Sequence, residues 1–257
     1  MFKYYTFKSE ELEKPKTVIV TQARIGSTRL PGKILKKIGD KSLLKIHLER
    51  LKKVKNIEDI FIATTHEKEI EKIISIAKNS NIKYYQGSTN DVLDRYYNTL
   101  INNPPEFLVR VTSDCPLIDP ILIENIIDFA IDNNVDYCSN VLNEIFPDGQ
   151  DIEVIKWSAL KYTWENAKSQ KDREHVTSYI RNNCTYNGKK LFSSISYEGN
   201  FNYNNIRMTV DELSDFKAVE TLINSIGEDK SWLEYTNYII GNKDKFSNQL
   251  IIRNEGF

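Results

Sequence analysis

Apolar positions along the chain alternate between two rhythms. Thr17 to Thr21 (TVIVT) is a short β-branched run, and after a polar loop it is followed by Leu43, Leu44, His47, Leu48, Leu51 and Val54 at helical spacing. The pattern predicts strand, loop, helix. Asp59 to Thr64 (DIFIAT) reads as a second strand, and Ile70, Ile73, Ile74 and Ala77 fall on one face of a helix within Glu67 to Ser80. Ile82 to Gln86 and Thr89 to Ile101 repeat the unit, and Phe107 to Thr112 (FLVRVT) adds a fourth strand. Such alternation predicts parallel β-α-β units with right-handed crossovers, so the chain up to residue 135 reads as doubly wound α/β. Ligands of such sheets bind beyond the carboxyl ends of the strands. The loops after Thr21, Thr64, Gln86 and Thr112 are therefore expected to share one crevice.

Past Ile131 the rhythm changes. Asn133 to Gln150 is polar and loop-rich, Asp151 to Trp157 (DIEVIKW) is strand-like, and helical stretches follow around Leu160 to Lys168 and Glu174 to Arg181. Leu191 to Tyr197 and Ile206 to Val210 predict short strands, and Asp215 to Ile226 a helix. This last strand and helix are expected to rejoin the main sheet. The resulting division is an N-terminal extension, 1–16, and a single domain, 17–257, with 133–197 as an inserted arm.

Composition narrows the function classes. Lys and Arg number 35 against 36 Asp and Glu, a net charge of −1, so neither a nucleic acid nor a strongly charged partner is implied. Mean hydropathy is −0.48, and no stretch approaches the roughly 20 apolar residues of a bilayer span. The N-terminus, MFKYYTFKSEELEKPK, has acids where a signal peptide needs its apolar core. Three cysteines at wide spacing offer neither a disulfide framework nor a CxxC zinc site. The expected location is the cytoplasm.

The candidate chemistry begins in the loop after the first strand. Gln22 to Lys33 reads QARIGSTRLPGK, with Arg24, Arg29 and Lys33 as charge-assisted donors and Gly26 and Gly32 allowing close backbone approach to an anion. A polyphosphate is the expected ligand. It is not a P-loop: five residues separate its glycines rather than four, and Ile34 follows Lys33 where Ser or Thr is required. No GxGxxG is present. The alternative is a basic surface turn with no ligand.

That loop, with GSTNDVLDRYY at Gly87 to Tyr97, RVTSDCPLIDP at Arg110 to Pro120, DREHVTSYI at Asp172 to Ile180 and RMTVDELSDF at Arg207 to Phe216, resembles the cytidylyltransferase family. It is most similar to the SpsF-like branch, which is related to the CMP-ulosonic and CMP-sialic acid synthetases, and the resemblance runs from about Lys16 to Ile226. It implies a Rossmann-like nucleotide-diphospho-sugar transferase fold of GT-A type, and transfer of CMP from CTP to an acceptor with release of pyrophosphate. On the matching positions Arg24, Ser27, Arg29 and Lys33 would hold the triphosphate, within a nucleotide-binding set that also takes in Gln22, Ala23, Gly26 and Thr28. Thr64, Gly87, Ser88 and Arg95 would line the base and ribose pocket. Asp114 and Asp211 match the family's two Mg²⁺-binding aspartates, and Asp114 also counts among the nucleotide-binding residues. The alternative for both is a helix N-cap. Asp148, Asp151 and Glu153, with Arg173, Glu174 and His175, are the expected acceptor-side groups.

The resemblance further implies a homodimer through 133–197 and a role in surface polysaccharide or capsule synthesis. A phosphorylated acceptor (sugar, polyol or other phospho-metabolite) is favoured over an ulosonic acid. A glycosyltransferase on the same fold would normally show a DxD motif, whereas Ser113 to Cys115 holds one aspartate. A non-catalytic nucleotide-binding protein is the remaining alternative, and it would bind CTP without consuming it.

Overall fold

The computed structural model describes residues 14–251. Most of the expected N-terminal extension, residues 1–13, lies outside them. In chain order the structure begins with β1 (Thr17–Gln22), a short hairpin β2 (Lys37–Ile38) and β3 (Lys41–Ser42), and α1 (Leu43–Leu51). Then come β4 (Asp59–Thr64), α2 (Glu71–Asn79), β5 (Lys83–Gln86), α3 (Val92–Leu100), β6 (Phe107–Thr112), α4 (Pro120–Asp132) and β7 (Tyr137–Ser139). The remainder is β8 (Glu153–Lys156), α5 (Trp157–Asn166), α6 (Gln170–Glu174), α7 (Ser178–Asn182), β9 (Ser194–Ser196), α8 (Leu213–Ile226) and α9 (Trp232–Gly241), with short 3-10 turns between elements.

Seven strands form one sheet in the order β5-β4-β1-β6-β8-β7-β9. β5, β4, β1 and β6 are mutually parallel, and β8 runs antiparallel to both β6 and β7. The mostly parallel α/β architecture is therefore as expected. β1 sends the chain first towards β4 and later towards β6, which makes its carboxyl end a topological switch point. Register brings the strand ends together there: Gln22 pairs with Ala63 on one side and Thr112 on the other, and Thr64 pairs with Gln86.

Both faces of β1 are covered, which is why its sequence is a continuous β-branched run. Ile19 joins a cluster with Ile62, Val109 and residues of α1, α2 and α4, whereas Val18 and Val20 join one with Leu108, Tyr96 and Leu160. A third cluster packs Leu30 and Ile206 to Val210 against α8 and α9. Helix starts are set locally. Asp119 accepts the amides of Ile121 and Leu122 with Pro120 in the first turn, and Ser231 and Glu234 form a capping box.

The stretch 133–197 contributes β7, β8 and β9 to the sheet. Two expectations are corrected. The helix read across Glu174 to Arg181 is broken into α6 and α7 by Val176, a buried residue in the left-handed region at φ 57°. The segment Ile206 to Val210 does not enter the sheet. Its backbone bonds loop residues instead: Met208 N–H donates to Asp148 O at 2.7 Å and Val210 N–H to Asp114 O at 2.8 Å. Gly149 makes this possible at φ 103°, since a Cβ there would stand 2.6 Å from the Thr209 nitrogen.

Candidate active site

An open cavity of about 300 Å³ lies at the switch point and gathers the loop after β1, the start of α3, the loop after β6 and the 206–211 segment. The loop after β1 is held at both ends. The amides of Ile25 and Gly26 donate to the Glu67 carboxylate at 3.2 and 3.5 Å, and Thr65 Oγ1 donates to it at 2.8 Å. The Gly26 amide, expected to approach an anion, is thus already engaged. Gly32, at φ 64°, turns the chain into the 3-10 turn Lys33–Leu35, and its amide donates back to Ile25 O. The turn points Lys33 back across the sheet end.

Lys33 Nζ donates to Asp114 Oδ2 and to Asp211 Oδ1, each at 2.8 Å. Asp211 also receives Arg29 at 3.1 Å and Arg207 at 3.0 Å. Arg207 in turn forks onto Asp215 at 2.8 and 3.1 Å and pairs with Asp148. Asp215 closes the network by accepting the amides of Asp211 and Glu212, both at 2.9 Å. Burial alone would raise the Asp114 carboxyl, but the Lys33 charge and its hydrogen bond outweigh burial and bring it down to about 2. The same two aspartates outweigh burial at Lys33 and raise its ammonium pKa.

Neither aspartate caps a helix. Asp119 caps α4 and Glu212 caps α8, so the capping alternative falls for both Asp114 and Asp211. Their oxygens converge on a single cationic nitrogen. Among the described residues no group of three or more His, Cys, Asp or Glu side chains is placed to hold a metal ion. Mg²⁺ asks for less, commonly one or two carboxylates with substrate phosphates and water completing its shell, so this donor pair fits it.

The cavity is lined by Gln22, Ala23, Arg24, Gly26, Ser27, Thr28, Arg29 and Lys33, all from the first motif. Arg95, Asp114, Asp148, Asp151, Glu174, His175 and Asp211 complete the expected residues found there. Arg95 is buried, and its Nε and Nη1 have no hydrogen-bond partner among the described residues. Gln22 Oε1 is likewise unpartnered. Buried polar atoms normally find partners, so these two side chains leave donor and acceptor capacity unmet at the cavity wall.

Five expected residues lie outside the lining. Thr64 donates to Ala23 O at 2.8 Å and so supports the loop from beneath, while Ser88 Oγ accepts the Asp91 amide at 3.0 Å as a turn cap. Gly87 leaves room for its neighbours: a Cβ would stand 2.8 Å from the Tyr85 ring and 3.3 Å from Arg95 Cγ. Glu153 is buried against Arg110 and the Tyr137 hydroxyl. Arg173 forks onto Asp91 at 2.8 and 2.6 Å and donates to Trp164 O, which ties α6 to the start of α3. It thereby braces the wall that carries Glu174 and His175.

Sequence reasoning assigned no role to Arg110, Arg207, Thr112, Ser113, Cys115 or Thr209, all of which line the cavity. Arg110 and Arg207 carried a signal, each being the lone charge within an apolar run. His47 had no assigned role and proves to be a buttress. It is buried, its Nδ1 lies 2.9 Å from Cys115 O and its Nε2 3.0 Å from Thr21 Oγ1. The neutral ring suits both contacts, donating to the carbonyl and accepting from the hydroxyl.

Burial lowers the His47 pKa to about 4, a lowering that the hydrogen bond to Cys115 O only partly offsets. Above pH 6.5 the ring is neutral whether the chain is folded or not. Between 6.5 and 4 the unfolded chain takes up a proton that the folded protein refuses. Stability is therefore expected to fall with pH across this window, by about 3 kcal/mol from this residue alone. Urea unfolding of His47→Gln should show a correspondingly shallower pH slope than the wild type, and equal slopes would remove the assignment.

A parallel-sheet switch point with a cationic loop, two converging aspartates and room for a nucleotide defines a nucleotidyltransferase. Comparison with known proteins agrees. The family model described as cytidylyltransferase matches residues 17–243, further towards the C-terminus than the motifs reach. The chain belongs to the cytidylyltransferase family. It is 40% identical to the uncharacterized protein MJ1063 of Methanocaldococcus jannaschii, over 79% of this chain and 81% of that protein. The spore coat polysaccharide biosynthesis protein SpsF of Bacillus subtilis is 30% identical, over 82% of this chain and 88% of its own length. The solved structure of a cytidylyltransferase from Leptospira borgpetersenii superposes with a TM-score of 0.86 at 31% identity, covering 93% of this chain and all of that one. No helix among the described residues is long and apolar enough to cross a membrane.

Proposed function

We propose that this cytidylyltransferase transfers CMP from CTP to a small phosphorylated acceptor, releasing pyrophosphate, in the synthesis of a surface polysaccharide. The observation that carries the reading is the meeting of Lys33 with Asp114 and Asp211 at the end of β1, flanked by Arg24 and Arg29. Arg24, Arg29 and Lys33 bind the triphosphate and neutralise the charge that develops on the departing pyrophosphate. Asp114 and Asp211 would hold Mg²⁺, which when bound withdraws charge from the phosphate oxygens. Arg95 and Gln22 supply the donors and acceptor for the base or ribose.

An acceptor oxygen attacks the α-phosphorus, and the bond from that phosphorus to the oxygen bridging to the β-phosphate breaks. Arg110, Arg207, Asp148, Asp151, Glu174 and His175 line the rest of the cavity and are the acceptor-side groups. The name of SpsF places that protein in polysaccharide synthesis, and the SpsF-like wording of the first motif supports a phosphate acceptor. Its oxygen is already ionised near neutral pH and needs no general base.

The test is pyrophosphate release with CTP, UTP, ATP and GTP in turn, plus Mg²⁺, against sugar phosphates, polyol phosphates, phospho-amino acids and ulosonic acids. CTP-specific release with a phosphorylated compound is the expected result. Release only with ulosonic acids would replace the acceptor, and CTP binding without release would replace the enzyme reading with a nucleotide-binding one.

A further inference from the structure

The charges at the centre of the cavity pair with one another. Lys33 Nζ sits where the Asp114 and Asp211 oxygens converge, 2.8 Å from each, and this is the position a divalent cation would take between them. We infer that Lys33 is the resident cation of the nucleotide-free protein, releasing the two aspartates only when a nucleotide offers its ammonium other anions. Divalent metal then enters with the nucleotide and not before it. The inference rests on the Mg²⁺ reading above.

Three physical terms support this order. First, a tethered ammonium competes at high effective concentration, because it has no translational freedom left to lose. Second, Mg²⁺ sheds its water reluctantly, so a lone ion is a weak competitor at a site with only two carboxylates. Third, an expelled ammonium would have nowhere to go. The Lys33 side chain is only 14% exposed, and Arg29 and Arg207 already stand on Asp211. An unpartnered charge in that position is strongly unfavourable.

A triphosphate removes the obstacle. Its oxygens receive the ammonium as the metal takes over the carboxylates, so each charge keeps a partner throughout the exchange. Arg29 is 43% exposed and shares the Asp211 carboxylate, and it can follow the same path onto phosphate. The carboxylates themselves need not move far, since Arg207 and Asp215 hold Asp211 from behind.

The probe is Mn²⁺, whose unbound fraction is read by electron paramagnetic resonance, with wild type, Lys33→Met and Lys33→Gln, each with and without CTP. A protein-free titration corrects for the association of Mn²⁺ with CTP. The wild type is expected to bind Mn²⁺ at least about tenfold more weakly without CTP than with it, and both variants to bind Mn²⁺ alone about tenfold more tightly than the wild type does. Thermal unfolding gives a second readout: Mn²⁺ alone should raise the midpoint of the variants and leave the wild type unchanged. If both variants bind Mn²⁺ alone no better than the wild type, while the wild type takes it up with CTP, the exchange is refuted and the metal reading stands. Should the wild type take up no Mn²⁺ even with CTP, the metal reading falls and the inference with it.

Discussion

Asp114→Ala and Arg29→Ala are each expected to purify as folded protein yet turn over CTP at least about a hundredfold more slowly than the wild type. The expectation separates catalysis from stability because of where the two side chains stand. Arg29 is 43% exposed on a loop and pairs with Asp211, which keeps Lys33 and Arg207 when Arg29 is lost. Asp114 contacts Lys33, which keeps Asp211. Neither change opens a hole in an apolar cluster, so the unfolding midpoint should move little. The reaction, by contrast, loses a fixed charge aimed at the phosphates, and such preorganised groups are worth about 3 to 4 kcal/mol each in the transition state. Initial rates of pyrophosphate release, beside thermal melts of the same preparations, provide the measurement. Wild-type rates in both variants would remove this loop and this aspartate from the site.

The largest stability effect is expected from Arg110→Met. Arg110 on β6 stands directly opposite Glu153 on β8, and the pair is almost wholly buried, with side-chain exposures of 5% and 2%. Burial raises the Glu153 carboxyl, but Arg110 and then Arg181 outweigh it and hold the pKa below the ordinary range, so the group is ionised at neutral pH. Removing the arginine leaves a buried carboxylate supported by the Tyr137 and Thr177 hydroxyls and the Arg181 charge, without its paired cation. That costs about 3 to 5 kcal/mol, whereas replacing both partners by apolar residues of similar size costs far less. Urea unfolding of Arg110→Met, Glu153→Leu and the double variant therefore distinguishes the pair from ordinary packing. A double variant no more stable than Arg110→Met would show that the isolated carboxylate is not the source of the loss.

Much of this architecture is legible in the sequence where the information is local. β1, β4, β5 and β6 fall within a residue of the runs that predict them; for β1 and β6 this is because a strand buried on both faces must be apolar throughout, whereas β5 is a half-exposed edge strand. The same pattern misplaces Ile206 to Val210, which is apolar because it packs on α8 and α9, not because it pairs in the sheet. Helix α4 is announced by Asp119 and Pro120, a signal that lies in capping chemistry and not in periodicity. In the site, the first motif was readable as one segment, and all of it but Ile25, Leu30, Pro31 and Gly32 lines the cavity. Glu153 was not readable, since its burial is set by an arginine 43 residues away. Nor was the role of Arg173, whose partner Asp91 lies 82 residues earlier.

The separation of the central charges along the chain has a consequence for how the molecule is made. Lys33 meets Asp114 across 81 residues and Asp211 across 178. A chain emerging from the ribosome therefore presents its basic loop long before either acid exists to answer it, and contacts of such high sequence separation form slowly. Until Asp211 arrives, β1, β4 and β6 can already be paired, but the segment that carries this second acid is still missing. The binding centre is thus among the last features to mature, and a product cut short before residue 211 carries the motif that identifies the family without the site that the motif serves.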